Sequence, residues 1–187
     1  MDFCRKLAAI LILMSITSVA VTPARGQERK LGEYEVKAVF LYNLAKFIEW
    51  PDKSLDNSST LTLYILGDDP FGTHLDAIKG KLIKGKSVDV KQIDSPDALK
   101  SVGILFISSS EKGQLQDILK GISSKPILTV GDTQSFAKRG VMVNFYIENN
   151  KIRFEINIEA AKLAGLKISS NLLKMGKIIP PPSGKEK

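Results

Sequence analysis

Cysteine is almost missing from this sequence: its 187 residues hold one, Cys4, within the first few positions. Beyond the N-terminal segment there is none, so disulfides, thiolate nucleophiles and thiolate metal sites are excluded there. Histidine is equally scarce. His74 is the only one, and no second histidine or carboxylate cluster accompanies it in sequence. A Ser-His-Asp triad or a histidine zinc site therefore has no visible members, and no nucleophile-elbow sequence is present. Clustered charge is lacking too: the net charge of +7 is spread along the chain. Without basic blocks interleaved with aromatics there is no nucleic-acid footprint, and the basic excess reads as a solvated surface.

Long hydrophobic runs are limited to residues 7–20 (LAAILILMSITSVA). That run is shorter than the about 20 residues a spanning helix needs. Arg5 and Lys6 precede it, and small-residue cleavage sites follow at Ser18-Val19-Ala20 or Ala24-Arg25-Gly26. This is the pattern of a secretory signal over residues 1–26, with an uncleaved anchor as the alternative. Removing those residues takes away Arg5, Lys6, Arg25 and Asp2 and lowers the net charge by two. The expected organisation is a signal peptide (1–26), one α/β domain (27–175) and a disordered tail (176–187), the last because PPPSGKEK cannot build a core.

Residues 33–50 (EYEVKAVFLYNLAKFIEW) predict a helix stopped by Pro51. At 100° per residue, Val36, Val39, Phe40, Asn43, Phe47 and Trp50 share one arc; Tyr34, Ala38, Leu41, Ala45 and Ile48 form a second apolar side. Glu35, Tyr42, Lys46 and Glu49 make a narrow polar strip. Such a helix belongs inside a layered domain, with Asn43 as a buried amide bonded to a neighbouring loop.

Farther along, residues 61–66 (LTLYIL), 88–93 (VDVKQI), 102–107 (VGILFI) and 127–130 (ILTV) read as strands. Helices are expected at 71–79 with Asp69 as N-cap, at 96–100 and at 111–122. Strands alternating with helices predict a parallel sheet covered on both faces. Residues 141–148 and 151–158 alternate around Asn149-Asn150, which predicts a hairpin with a type I′ turn. A short helix at 159–164 ends at Gly165, and 167–175 adds another turn or two.

Residues 80–87 (GKLIKGKS) satisfy the phosphate-loop pattern letter for letter. A phosphate loop needs a strand before its glycines and a helix after them. Here the order is inverted, helix before and strand after, so the match reads as chance. Gly67-Asp68-Asp69-Pro70 reads as a turn and cap, since two adjacent carboxylates are too few for a cation.

The blocks EYEVKAVFLYNLAKFIEWP, LTLYILGDDPFG, VGILFIS and RFEINIEAAKLAGLKISSNLLK resemble, in this order, the YfiR-like periplasmic family, over about residues 33–174. The resemblance implies an exported α/β, Rossmann-like three-layer domain, its sheet largely parallel with a C-terminal antiparallel hairpin. It implies a repressor of a membrane-bound diguanylate cyclase in cyclic di-GMP signalling. Such a protein holds the cyclase's periplasmic portion inactive until envelope or redox stress, or an outer-membrane lipoprotein, draws it away. The mechanism implied is sequestration, with no catalysis, cofactor or metal, and a homodimer is compatible with it. Redox-responsive members carry cysteines at positions matching Tyr64 and Val102, which implies that those two strands are neighbours. Lacking them, this chain must switch by ligand binding, partner competition or oligomer exchange. The partner-contacting region maps onto Glu159, Leu163, Ile168 and Leu172. The alternative function is periplasmic small-solute or cell-wall binding in a crevice at residues 67–71 and 131–133.

Overall fold

The structure is a computed structural model and describes residues 32–51, 58–123 and 125–180. The expected signal peptide and residues 181–187 of the expected tail lie outside the described residues. Among the described residues no helix is long and apolar enough to cross a membrane.

In chain order the elements are α1 (Glu33–Lys46), β1 (Ile48–Glu49), β2 (Thr60–Leu66), a 3-10 turn (Gly72–Ala77), β3 (Leu82–Ile83), β4 (Lys86–Ile93) and β5 (Gly103–Ile107). There follow α2 (Leu115–Gly121), β6 (Ile127–Gly131), β7 (Val143–Glu148), β8 (Lys151–Ile156), α3 (Ile158–Leu163), β9 (Lys167–Ile168), α4 (Ser170–Leu173) and β10 (Lys177–Ile178). Eight strands form one sheet in the order β10-β8-β7-β6-β5-β2-β4-β3, and β1 pairs β9 in a small second sheet. Strands β4, β2, β5, β6 and β7 run parallel; β7 and β8 are antiparallel. The fold is the expected α/β arrangement, largely parallel with a C-terminal hairpin.

The sequence explains the centre. Strands β5 and β6 are buried at every position, as parallel strands covered on both faces must be. Side chains then divide by parity. Leu63, Ile65, Ile104, Phe106, Leu128 and Val130 join the core under α1, whereas Tyr64, Leu66, Leu105, Ile107 and Ile127 join the core under α2. Three layers result. The neighbours β2 and β5 are side by side, and the Tyr64 hydroxyl lies 2.7 Å from Ser101 Oγ. Asn149 and Asn150, with φ of 50° and 58°, make the hairpin turn.

Several expectations are corrected. The first helix ends at Lys46, four residues early, because Ile48 and Glu49 leave it to pair with Ile168 and Lys167. Its buried side is Lys37, Ala38, Leu41, Leu44 and Ala45, while Val39 of the expected main arc is 48% exposed. Asn43 is only half-buried and accepts from Lys46 at the surface, so it is not a core amide. Residues 72–77 and 96–98 are 3-10 turns where α-helices were expected; Asp69 and Ser95 nonetheless accept the Phe71 and Asp97 amides. Residues 82–87 are an antiparallel hairpin turning at Lys84-Gly85, so no helix follows the lysine of the phosphate-loop pattern. Lys177 and Ile178, placed in the tail by composition, belong to the sheet: β10 pairs β8, and the next residue, Ile179, is buried.

Candidate functional site

Helix α1 carries a lysine in the middle of its buried face. At 100° per residue Lys37, Leu41 and Leu44 fall within about 60° of one another. The chain satisfies the buried ammonium with Asp132, which follows the carboxyl end of β6. Lys37 Nζ donates to Asp132 Oδ2 at 2.7 Å and also pairs with Glu33 one turn back. Lys37 is 3% exposed and the Asp132 side chain 8%.

Tyr34 completes the cluster. Its hydroxyl donates to the same Oδ2 at 3.0 Å, and its ring faces the Lys37 ammonium at 4.3 Å. Burial first, then the Asp132 carboxylate, pushes the Tyr34 hydroxyl above the usual tyrosine range, so it stays a donor. The Tyr34 ring also packs edge-on against Phe71, and Phe71 against Phe106. The two stretches named as a crevice from the sequence, 67–71 and 131–133, thus meet through Tyr34.

Beside this cluster Asn144 on β7 lies opposite Gly131 of β6 in the sheet register. Asn144 is 2% exposed and its Oδ1 has no partner. Leaving such an atom unbonded costs about 1–3 kcal/mol. A methyl group on Gly131 would stand 3.3 Å from that oxygen and 2.7 Å from Phe136, so only glycine fits against the closely packed Phe136 ring there. Glu33, Lys37, Asp132 and Asn144 line a cavity of about 450 Å³, with Lys138, Glu155 and Lys177 toward its outer side. Its volume is that of a small-molecule site.

The residues assigned to a partner surface from the sequence are dispersed by the structure. Glu159 and Leu163 are exposed on α3; Glu159 pairs with Lys162, and Leu163 is 85% exposed. Ile168 is half-buried in the ladder with Ile48. Leu172 is 1% exposed and belongs to the core, because the Ser169 cap turns α4 inward. A partner can touch the first two in this conformation, not the last. Leu163 stands at the lip of an apolar groove of about 310 Å³ whose walls include Leu119, Ile122, Met142 and Ala160.

Comparison with protein families matches residues 34–177 to the family described as YfiR/HmsC-like. The chain belongs to the YfiR/HmsC-like family. Solved structures similar to it include the ABC domain in complex with L-Trp from Streptococcus pneumonia, at TM-score 0.51 and 11% identity. That match covers 76% of this chain and 62% of the other. A conserved domain protein from Vibrio cholerae O1 biovar El Tor matches at TM-score 0.50 and 10% identity, over 80% of this chain and 60% of the other. This chain thus spans about three fifths of each, and the likenesses show a shared α/β fold.

Sequence reasoning missed the Tyr34–Lys37–Asp132 cluster and the buried Asn144. The signal was present in the helical phase of Lys37, which places it between Leu44 and Leu41 on the inner face. Asn144 falls at a polar position of an alternating strand, on the face opposite Val143 and Phe145, so the pattern itself gave no sign that it would be buried.

Proposed function

We propose that this chain is a periplasmic regulatory binding protein that represses a membrane-bound diguanylate cyclase by sequestering its periplasmic portion. The observation that carries this reading is the family match across residues 34–177. The exposed Leu163 at the mouth of an apolar groove supports it, because a large side chain left in water beside unfilled apolar space is suited to a protein partner. Glu159 lies one turn before Leu163 and supplies a charged rim. Ile168 and Leu172 act from behind, through packing. An outer-membrane lipoprotein that competes for the same face would release the cyclase, and a homodimer would occlude or extend it. Signalling here needs no thiol, since residues 27–187 contain no cysteine.

The test is capture from detergent-solubilised membranes of the source cell with the tagged mature chain. The expected result is recovery of an inner-membrane protein with a diguanylate cyclase domain, lost with Leu163→Asp. Capture of no cyclase would overturn the proposal.

A further inference from the structure

A second cavity, of about 470 Å³, lies at the amino ends of β2, β5 and β6, the opposite end of the sheet from Asp132. Two turns form most of its wall: residues 99–102, which lead into β5, and residues 125–127, where β6 begins. Both are tethered. The Tyr64 hydroxyl accepts from the Ser101 amide at 3.2 Å and lies 2.7 Å from Ser101 Oγ, while the Lys125 amide donates to the Ile122 carbonyl just past α2. Gly103 lies opposite Ile127 in the register, so with about 4.8 Å between strands the two turns stand side by side. Each contributes a lysine. Lys100 is exposed and Lys125 half-buried, and neither has an acid partner among the described residues. Among those residues no carboxylate lines the cavity. The hydroxyls of Ser58 and Ser101 are already bonded within the fold, so the polar groups left over are the two ammoniums. The rest of the wall is apolar, from buried Leu99 and Ile127 and half-buried Val102 and Pro126.

We propose that this cavity binds a small organic acid with an apolar body, its carboxylate accepting from the Lys100 and Lys125 ammoniums and its hydrocarbon part lying against Val102 and Pro126. Like charges on adjoining turns repel, and an anion between them removes that cost. An organic amine would add a third positive charge. A zwitterionic amino acid would bring its ammonium to a wall with no acid to receive it. Inorganic phosphate would leave the apolar wall in water. A monocarboxylate carrying a short chain or a ring meets both the charge and the apolar surface, and the volume admits it.

The test is an NMR titration of the isolated, isotope-labelled mature chain at low ionic strength with hexanoate and phenylacetate, using hexylamine, 1-hexanol and acetate as controls. The two acids are expected to shift the Ser101, Val102 and Ile127 backbone amides saturably, binding at least about tenfold more tightly than hexanol or acetate. Added salt should weaken that binding, because the contact is ionic. The double variant Lys100→Gln with Lys125→Gln removes two charges that hold no acid in the fold. It is expected to keep the melting temperature and to bind hexanoate no better than hexanol. Lys100→Gln alone, at an exposed position, is the milder variant and should weaken hexanoate at least about threefold. No saturable shift by either acid, hexylamine binding as tightly as hexanoate, or wild-type hexanoate affinity in whichever of these variants folds would overturn the proposal. The measurement needs no membrane partner, so its failure leaves the cyclase reading standing.

Discussion

Lys37 and Asp132 lie 95 positions apart in sequence, yet the ammonium and carboxylate meet at 2.7 Å. This contact ties the first turn of α1 to the end of β6. It makes the helix phase and the strand end depend on each other, since either charge alone would be buried without its partner.

Removing one member should therefore cost more than removing both. Lys37→Met leaves Asp132 largely buried without its ammonium and is expected to lower stability by about 3 kcal/mol. The double variant Lys37→Met with Asp132→Leu should recover most of that loss, because buried ion pairs are replaceable by apolar groups of similar volume. Urea unfolding of the three proteins checks it. A single variant as stable as wild type would refute the buried-pair account.

The Tyr34 hydroxyl gives the site a pH signature. In the unfolded chain it ionises near 10.0, and in the fold burial and Asp132 raise that value. Between the two values the folded protein holds the proton that the unfolded chain has lost, so this contribution is complete below the unfolded value and fades as pH rises. Tyr34→Phe should make the alkaline loss of stability shallower than in wild type. Denaturant midpoints between about pH 8 and 11 measure it, and identical slopes would contradict it.

Much of the architecture was legible in the sequence. The unbroken apolar runs ending at Ile107 and Val130 could only be covered central strands, and Asn149-Asn150 announced its turn. What escaped depended on tertiary pairing. Nothing local tells Ile48 and Glu49 to leave a helix for Lys167 and Ile168, which lie more than a hundred residues away. The two apolar sides of α1 looked equivalent by pattern, and the choice of inner face follows from Lys37 finding Asp132. Composition likewise gave no reason to keep residues 177–179 out of the tail, because their place comes from β8. The site was half visible: Gly131–Thr133 was singled out at a strand end, whereas Asn144 looked like an ordinary polar residue in an alternating strand.

The four residues nominated for partner contact now separate into distinct expectations. Leu163→Asp is expected to change stability by less than about 0.5 kcal/mol, as for an exposed position, while abolishing capture of the membrane partner. Leu172→Ala, in the core, should cost about 2–5 kcal/mol and reduce capture only as far as it unfolds the chain. Thermal melts paired with membrane capture distinguish the two. A Leu163→Asp protein that is folded and still captures the partner would remove α3 from the interface.

The most direct test of the central claim is the cellular cyclic di-GMP level in a strain deleted for this gene, complemented with the wild-type chain or with Leu163→Asp. Repression of a diguanylate cyclase predicts that the level rises on deletion, returns to normal with the wild-type chain and stays high with the variant. An unchanged level on deletion would contradict the account.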